Sequence, residues 1–122
     1  MSEPRPAARA AVAVVVLGHL LALYWPRLPV AGPPNGDKLA HVVVFAAPTL
    51  AGVLLARRWW PAWIVALHAP VSELLQGSLL PGRSGDPLDL VADLVGVGLA
   101  ALVLLARTAV RAGGPERTDS PG

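Results

Sequence analysis

Glu73-Leu74-Leu75-Gln76-Gly77-Ser78-Leu79-Leu80-Pro81-Gly82-Arg83-Ser84-Gly85-Asp86-Pro87-Leu88-Asp89-Leu90-Val91-Ala92-Asp93-Leu94-Val95-Gly96 decides how the rest of the chain is read. A Pro/Gly turn, Pro81 to Pro87, divides it into two apolar segments, each with acidic or amide residues at helical spacing. Segments that only anchor a chain in lipid have no use for a Glu, a Gln and three Asp here. The stretch therefore reads as a helical hairpin with a polar stripe on each arm.

Working outward, the same alternation of long apolar blocks and Pro/Gly breaks covers the chain. Leu88 to Ala106 is the arm after the turn, ended by Arg107 and Arg111. The arm before it runs back from Leu80 to Trp59, Trp60 and Trp63, with Pro70 as a kink. Leu39 to Ala56 is a further span, kinked at Pro48 and closed by Arg57-Arg58. Pro26 to Gly36 holds four prolines and two glycines and is a loop. Ala10 to Trp25 is an apolar run of 16 residues, about 24 Å as a helix, with Arg9 to snorkel at one end and Tyr24 and Trp25 at the other. A cleaved signal peptide is the competing reading of Arg5, Arg9 and this run, but Pro29 stands where a small residue is wanted before a break after Ala31.

Composition agrees with that pattern. The 122 residues are 54% hydrophobic and 15% charged, a balance that a soluble domain with this much surface cannot use. A net charge of +2, with basic residues scattered along the chain, excludes a nucleic-acid footprint. The absence of cysteine excludes disulfides, a thiolate nucleophile and thiolate metal ligands. The expectation is an all-α integral membrane domain over residues 1–111, with four transmembrane helices in the cell membrane and the lipid bilayer as its first partner. A disordered cytoplasmic tail is expected over 112–122.

Basic residues give an orientation. Arg5, Arg9, Arg57, Arg58, Arg107, Arg111 and Arg117 fall on one side, and Arg27, Lys38 and Arg83 on the other, which puts both termini in the cytoplasm. Asp37, Lys38 and His41 then open the second helix from the outside, Glu73 and Gln76 close the third, and Asp89 and Asp93 open the fourth. The expected result is a polar pocket at the outer ends of helices 2–4, because ionisable groups in lipid turn toward one another or toward water. Asp37, Lys38, His41, Glu73, Gln76, Arg83, Asp89 and Asp93 are the candidate ligand-binding residues. Helix capping accounts for Asp37 and Asp89 taken singly, and a polar network that only fixes helix register accounts for the whole set. Neither the capping account nor interfacial snorkelling reaches Glu73, Gln76, His41 or Asp93, which lie inside their helices.

Asp37-Lys38-x-x-His41, Glu73-x-x-Gln76, Pro81-Gly82-Arg83-Ser84 and Asp89-x-x-x-Asp93-x-x-Gly96, in that order on successive spans, resemble the VanZ-like family of small bacterial membrane proteins. The resemblance covers residues 37–98. It implies a small envelope protein connected with low-level resistance to the glycopeptide teicoplanin, and it brings no defined reaction with it. Phe45 stands where the family often has Tyr, Pro48 interrupts a span that is ordinarily continuous, and Asp93 occupies a position that is often Asn.

The residues themselves support several chemistries. His41, Glu73 and Asp93 are the candidate acid/base residues of an intramembrane enzyme acting on a lipid-linked or peptidoglycan-related substrate. His41 with oxygen ligands suits Zn²⁺ or Mn²⁺, yet no ligand pair has a diagnostic metal spacing and no cofactor is required. Arg83, with Lys38 and His41, offers a hold on an anionic group such as a lipid phosphate, while the carboxylates suit a cationic one. The leading expectation is a protein that binds an envelope lipid or a glycopeptide at the outer leaflet. The enzyme is the first alternative, and a structural or regulatory subunit the second. Elsewhere, His19 is read as one hydrogen bond to a neighbouring helix, and His68 as the partner of a carbonyl freed by Pro70. The Ala92, Gly96, Ala100 ladder is read as a close helix contact, within the chain or in a homodimer.

Overall fold

The computed structural model describes residues 2–25, 35–82 and 85–114. Among them the chain forms four helices and no strand: α1 (Pro6–Tyr24), α2 (Gly36–Ala56), α3 (Trp60–Leu79) and α4 (Pro87–Ala112). Three are long and apolar enough to cross a membrane, namely α1, α2 and α4. The 20-residue α3 has the length, but Trp60, His68, Pro70, Ser72, Glu73 and Gln76 lower its apolar content, and it is not one of the three.

Helix limits follow local chemistry. α1 begins earlier than the apolar run, because Pro6 pre-sets the backbone for a first turn and lacks the N–H that such a turn would leave unpaired. Pro87 does the same for α4, where Asp86 is the N-cap and its carboxylate accepts the Leu88 N–H at 2.9 Å. α4 runs through Ala112, beyond Arg107 and Arg111, so the tail expected from 112 begins inside this helix and continues outside the described residues. Between α3 and α4, Gly82 takes φ of 75°, which only glycine adopts without strain.

The bundle is inside-out relative to a soluble one. Leu17, Leu20, Leu39, Val43, Leu67, Leu74, Val91 and Leu102 point outward, whereas His19, His41, Thr49, Ser72, Glu73, Gln76, Asp89 and Asp93 are buried. An apolar exterior around an interior with paired polar groups is what hydrocarbon demands, since nothing there competes for hydrogen bonds. Trp25, Trp59, Trp60 and Trp63 are exposed, as interfacial anchors are.

α2 is the central helix, with its most extensive contact against α4. Ala92, Gly96 and Ala100 are buried on the α4 face, and a Cβ on Gly96 would collide with the Val42 carbonyl oxygen and come within 3.1 Å of the Val42 Cα. The small-residue ladder is thus used inside the chain, where it lets two backbones touch. Further along α2, Gly52 admits Pro61 of α3, whose Cβ would lie 2.8 Å from a new Cβ.

Candidate functional site

The site lies where α2 and α4 begin and α3 ends. The turn after α3 folds back so that the Asp86 N–H donates to Glu73 Oε2 at 3.1 Å. Gly85 passes close enough that a Cβ there would sit 3.2 Å from the Glu73 carbonyl oxygen. This anchors the first turn of α4 beside Glu73. Asp89 and Asp93, one turn apart, then face α2.

Two linked groups result. In the outer of the two, Lys38 Nζ donates to Asp89 Oδ1 at 2.5 Å, Asp86 Oδ2 at 2.8 Å and Asp37 Oδ2 at 3.1 Å. All three ammonium N–H groups are used. The Lys38 ammonium, followed by the Leu88 N–H, holds the Asp86 carboxyl below the usual carboxylate range. In the inner group, His41 Nδ1 donates to Asp93 Oδ1 at 2.7 Å and lies 4.0 Å from Glu73 Oε1, while His41 Nε2 lies 3.5 Å from Asp89 Oδ2. His41, Glu73 and Asp93 are buried, and Asp93 is fully so. Among the described residues, the buried side-chain atoms without a hydrogen-bond partner are Glu73 Oε1 and Asp93 Oδ2.

The structure thus brings together Asp37, Lys38, His41, Glu73, Asp89 and Asp93. Gln76 does not join them: its Nε2 donates to the Leu23 carbonyl at 2.8 Å and so ties α3 to the last turn of α1. A carbonyl at a helix end has no partner within its own helix, and an amide about one turn from the end of α3 satisfies it. Arg83 lies outside the described residues. Asp89 is no cap, since Asp86 fills that position and Asp89 turns inward to Lys38 and His41. Lys38, expected beside Arg83 as part of an anion-holding group, is engaged here by three carboxylates.

Sequence reasoning left Asp86 out of the candidate set. It lies in a Gly/Pro turn, where an Asp reads as a turn or cap residue, yet it bridges Lys38 and Glu73. A second polar group was missed as a group. His19 Nδ1 donates to the Val44 carbonyl at 2.7 Å, His19 Nε2 and His68 Nδ1 are 3.0 Å apart, and the Tyr24 hydroxyl is 2.8 Å from His68 Nε2. His68 therefore bonds two side chains rather than a carbonyl freed by Pro70. The Tyr24 hydroxyl faces the bundle rather than the surface. Phe45 packs edge-on against His19 with ring centres 4.8 Å apart.

No family model, no curated protein and no solved structure matches the chain.

Proposed function

We propose that this chain is a VanZ-like integral protein of the bacterial cell membrane, with four spans and both termini in the cytoplasm. Its site at the outer ends of α2, α3 and α4 binds an envelope component or a glycopeptide such as teicoplanin. One observation carries the reading. Side chains of α3 and α4 converge on His41 of α2 in a buried, carboxylate-rich cluster with two oxygen atoms left unpartnered. A network that served packing alone would satisfy its buried oxygens, because each one left bare costs about 1–3 kcal/mol or more.

Supporting the orientation, Arg57, Arg58, Arg107 and Arg111 line one pocket where α2 and α4 end, opposite the end where the carboxylates gather. Such a clustering of arginines is what cytoplasmic helix ends carry. Supporting a fourth span, α3 has 20 residues, enough for about 30 Å of hydrocarbon, and its His68, Ser72, Glu73 and Gln76 turn into the bundle.

The test is teicoplanin susceptibility of a bacterial host expressing the chain. Expression of the wild type should raise the inhibitory concentration at least about twofold, and Glu73→Gln, at equal membrane abundance, should return it to that of the empty host. Equal susceptibility with and without the wild-type chain would remove the glycopeptide role. A catalytic reading has its own support in His41, held between Asp93 and Asp89 as an acid/base imidazole would be. It differs in requiring a chemically altered envelope lipid or peptidoglycan precursor that disappears in Glu73→Gln.

A further inference from the structure

We propose that His41 Nδ1, Glu73 Oε1 and an Asp93 carboxylate oxygen hold a divalent first-row cation, Zn²⁺ or Mn²⁺. The inference deepens the reading of this cluster as a ligand site and rests on it.

Four features of the cluster point to an ion. The three side chains each bring one ligand atom into a group in which all lie within 4.8 Å of one another. Atoms that share an ion at about 2.1 Å lie up to about 4.2 Å apart, so small side-chain movements close the site. Next, the two carboxylates each have a free oxygen to offer the ion. Glu73 Oε1 and Asp93 Oδ2 are buried without a hydrogen-bond partner, whereas Glu73 Oε2 is already engaged by the Asp86 N–H.

The surrounding groups are also those a metal site uses. With Nδ1 as the ligand, the His41 proton sits on Nε2, which lies 3.5 Å from Asp89 Oδ2, and Asp89 is fixed by Lys38 through its other oxygen. A carboxylate behind a ligating histidine orients the ring and raises its basicity. Charge is the fourth feature. Lys38 offsets one of the outer carboxylates, but Glu73 and Asp93 face only His41. A divalent ion with two carboxylates and a neutral imidazole is a neutral assembly, the form a low-dielectric interior tolerates. The ion takes the place of the proton on His41 Nδ1, which leaves to solvent.

One nitrogen and two oxygens, with no thiolate, suit Zn²⁺ or Mn²⁺ rather than Cu⁺ or an iron–sulfur cluster. Three protein ligands leave coordination positions for water and for an oxygen of the envelope ligand.

The experiment uses the full chain, purified in detergent, stripped with a chelator and titrated separately with Zn²⁺ and Mn²⁺ by calorimetry. The wild type should take up one ion per chain. Glu73→Gln and Asp93→Asn should lose that uptake, Asp89→Asn should weaken it about 10–100-fold, and Glu3→Gln, at the far end of α1, should match the wild type. The proposal is overturned if the folded wild type binds neither ion more tightly than folded Glu73→Gln. Should the variants not fold, Mn²⁺-loaded wild type should show the ¹⁴N hyperfine coupling of one directly bound imidazole in pulsed electron paramagnetic resonance, and absence of that coupling overturns the proposal. Loss of metal binding with the teicoplanin difference intact would remove the ion and keep the ligand site. Metal binding without that difference would keep the ion and remove the glycopeptide role.

Discussion

The Val44 carbonyl cannot accept the usual helical bond, because the residue four positions on is Pro48 and has no N–H. His19, from another helix, supplies the donor at 2.7 Å. That single bond fixes two ring tautomers when both histidines are neutral. A carbonyl only accepts, so His19 carries its proton on Nδ1. His19 Nε2 must then accept from His68 Nδ1–H, and His68 Nε2 from the Tyr24 hydroxyl. Nitrogen-15 spectra of the purified protein should show both rings as the Nδ1–H tautomer. A protonated Nε2 on either ring would contradict the assignment. Tyr24→Phe deletes the terminal donor and keeps the ring, and should cost about 0.5–1.5 kcal/mol in chemical denaturation. His19→Leu leaves the Val44 oxygen bare in the core and should cost more, about 1–3 kcal/mol. A loss for Tyr24→Phe equal to or larger than that for His19→Leu would mean that the chain of bonds is not anchored at Val44. In sequence, each histidine was a lone polar residue in an apolar run. Spacing relates residues of one helix only, and these partners come from three, so the group was not legible.

At the scale of elements, spacing within a helix was readable and contacts between helices were not. Asp89 and Asp93 are one turn apart, and they share a face as their spacing requires. Glu73 and Gln76 also share a face by spacing, yet the two side chains go to different partners, one to Asp86 and one to Leu23. The direction a side chain takes at the edge of a face depends on which helix is next to it. The α2–α4 contact is the opposite case, since the Ala92, Gly96, Ala100 ladder announced a close approach before the partner helix was known. Two glycines of α4 make a matched test. Gly96→Ala drives a methyl into the Val42 backbone and should destabilise the protein by about 1–3 kcal/mol. Gly98, exposed and with nothing within 4 Å of an added Cβ, should tolerate Ala with no loss or a gain of up to about 1 kcal/mol. Equal effects in thermal unfolding would show that α2 and α4 do not meet at Gly96.

For the whole molecule, the apolar blocks and the Pro/Gly breaks were enough to give an all-helical chain with apolar helices. The ionisable residues, placed on those blocks, also led to the expectation of carboxylates at one end and arginines at the other, which is the feature with functional weight. Asp37, Glu73, Asp86, Asp89 and Asp93 are five of the eight acidic residues of the chain, and they gather at one end around Lys38 and His41. Arginines gather at the other. The orientation proposed from this polarity puts the carboxylate site on the outer face. The chain has no cysteine, so a single introduced thiol reports its own side of the membrane. The most direct measurement is labelling of Pro81→Cys and Gly113→Cys in intact cells with a membrane-impermeant maleimide. Pro81→Cys, in the turn beside Glu73 and Asp86, should be labelled in intact cells, and Gly113→Cys only after the membrane is permeabilised. Labelling of Gly113→Cys in intact cells, with Pro81→Cys protected until permeabilisation, would put the site on the cytoplasmic face and contradict the account.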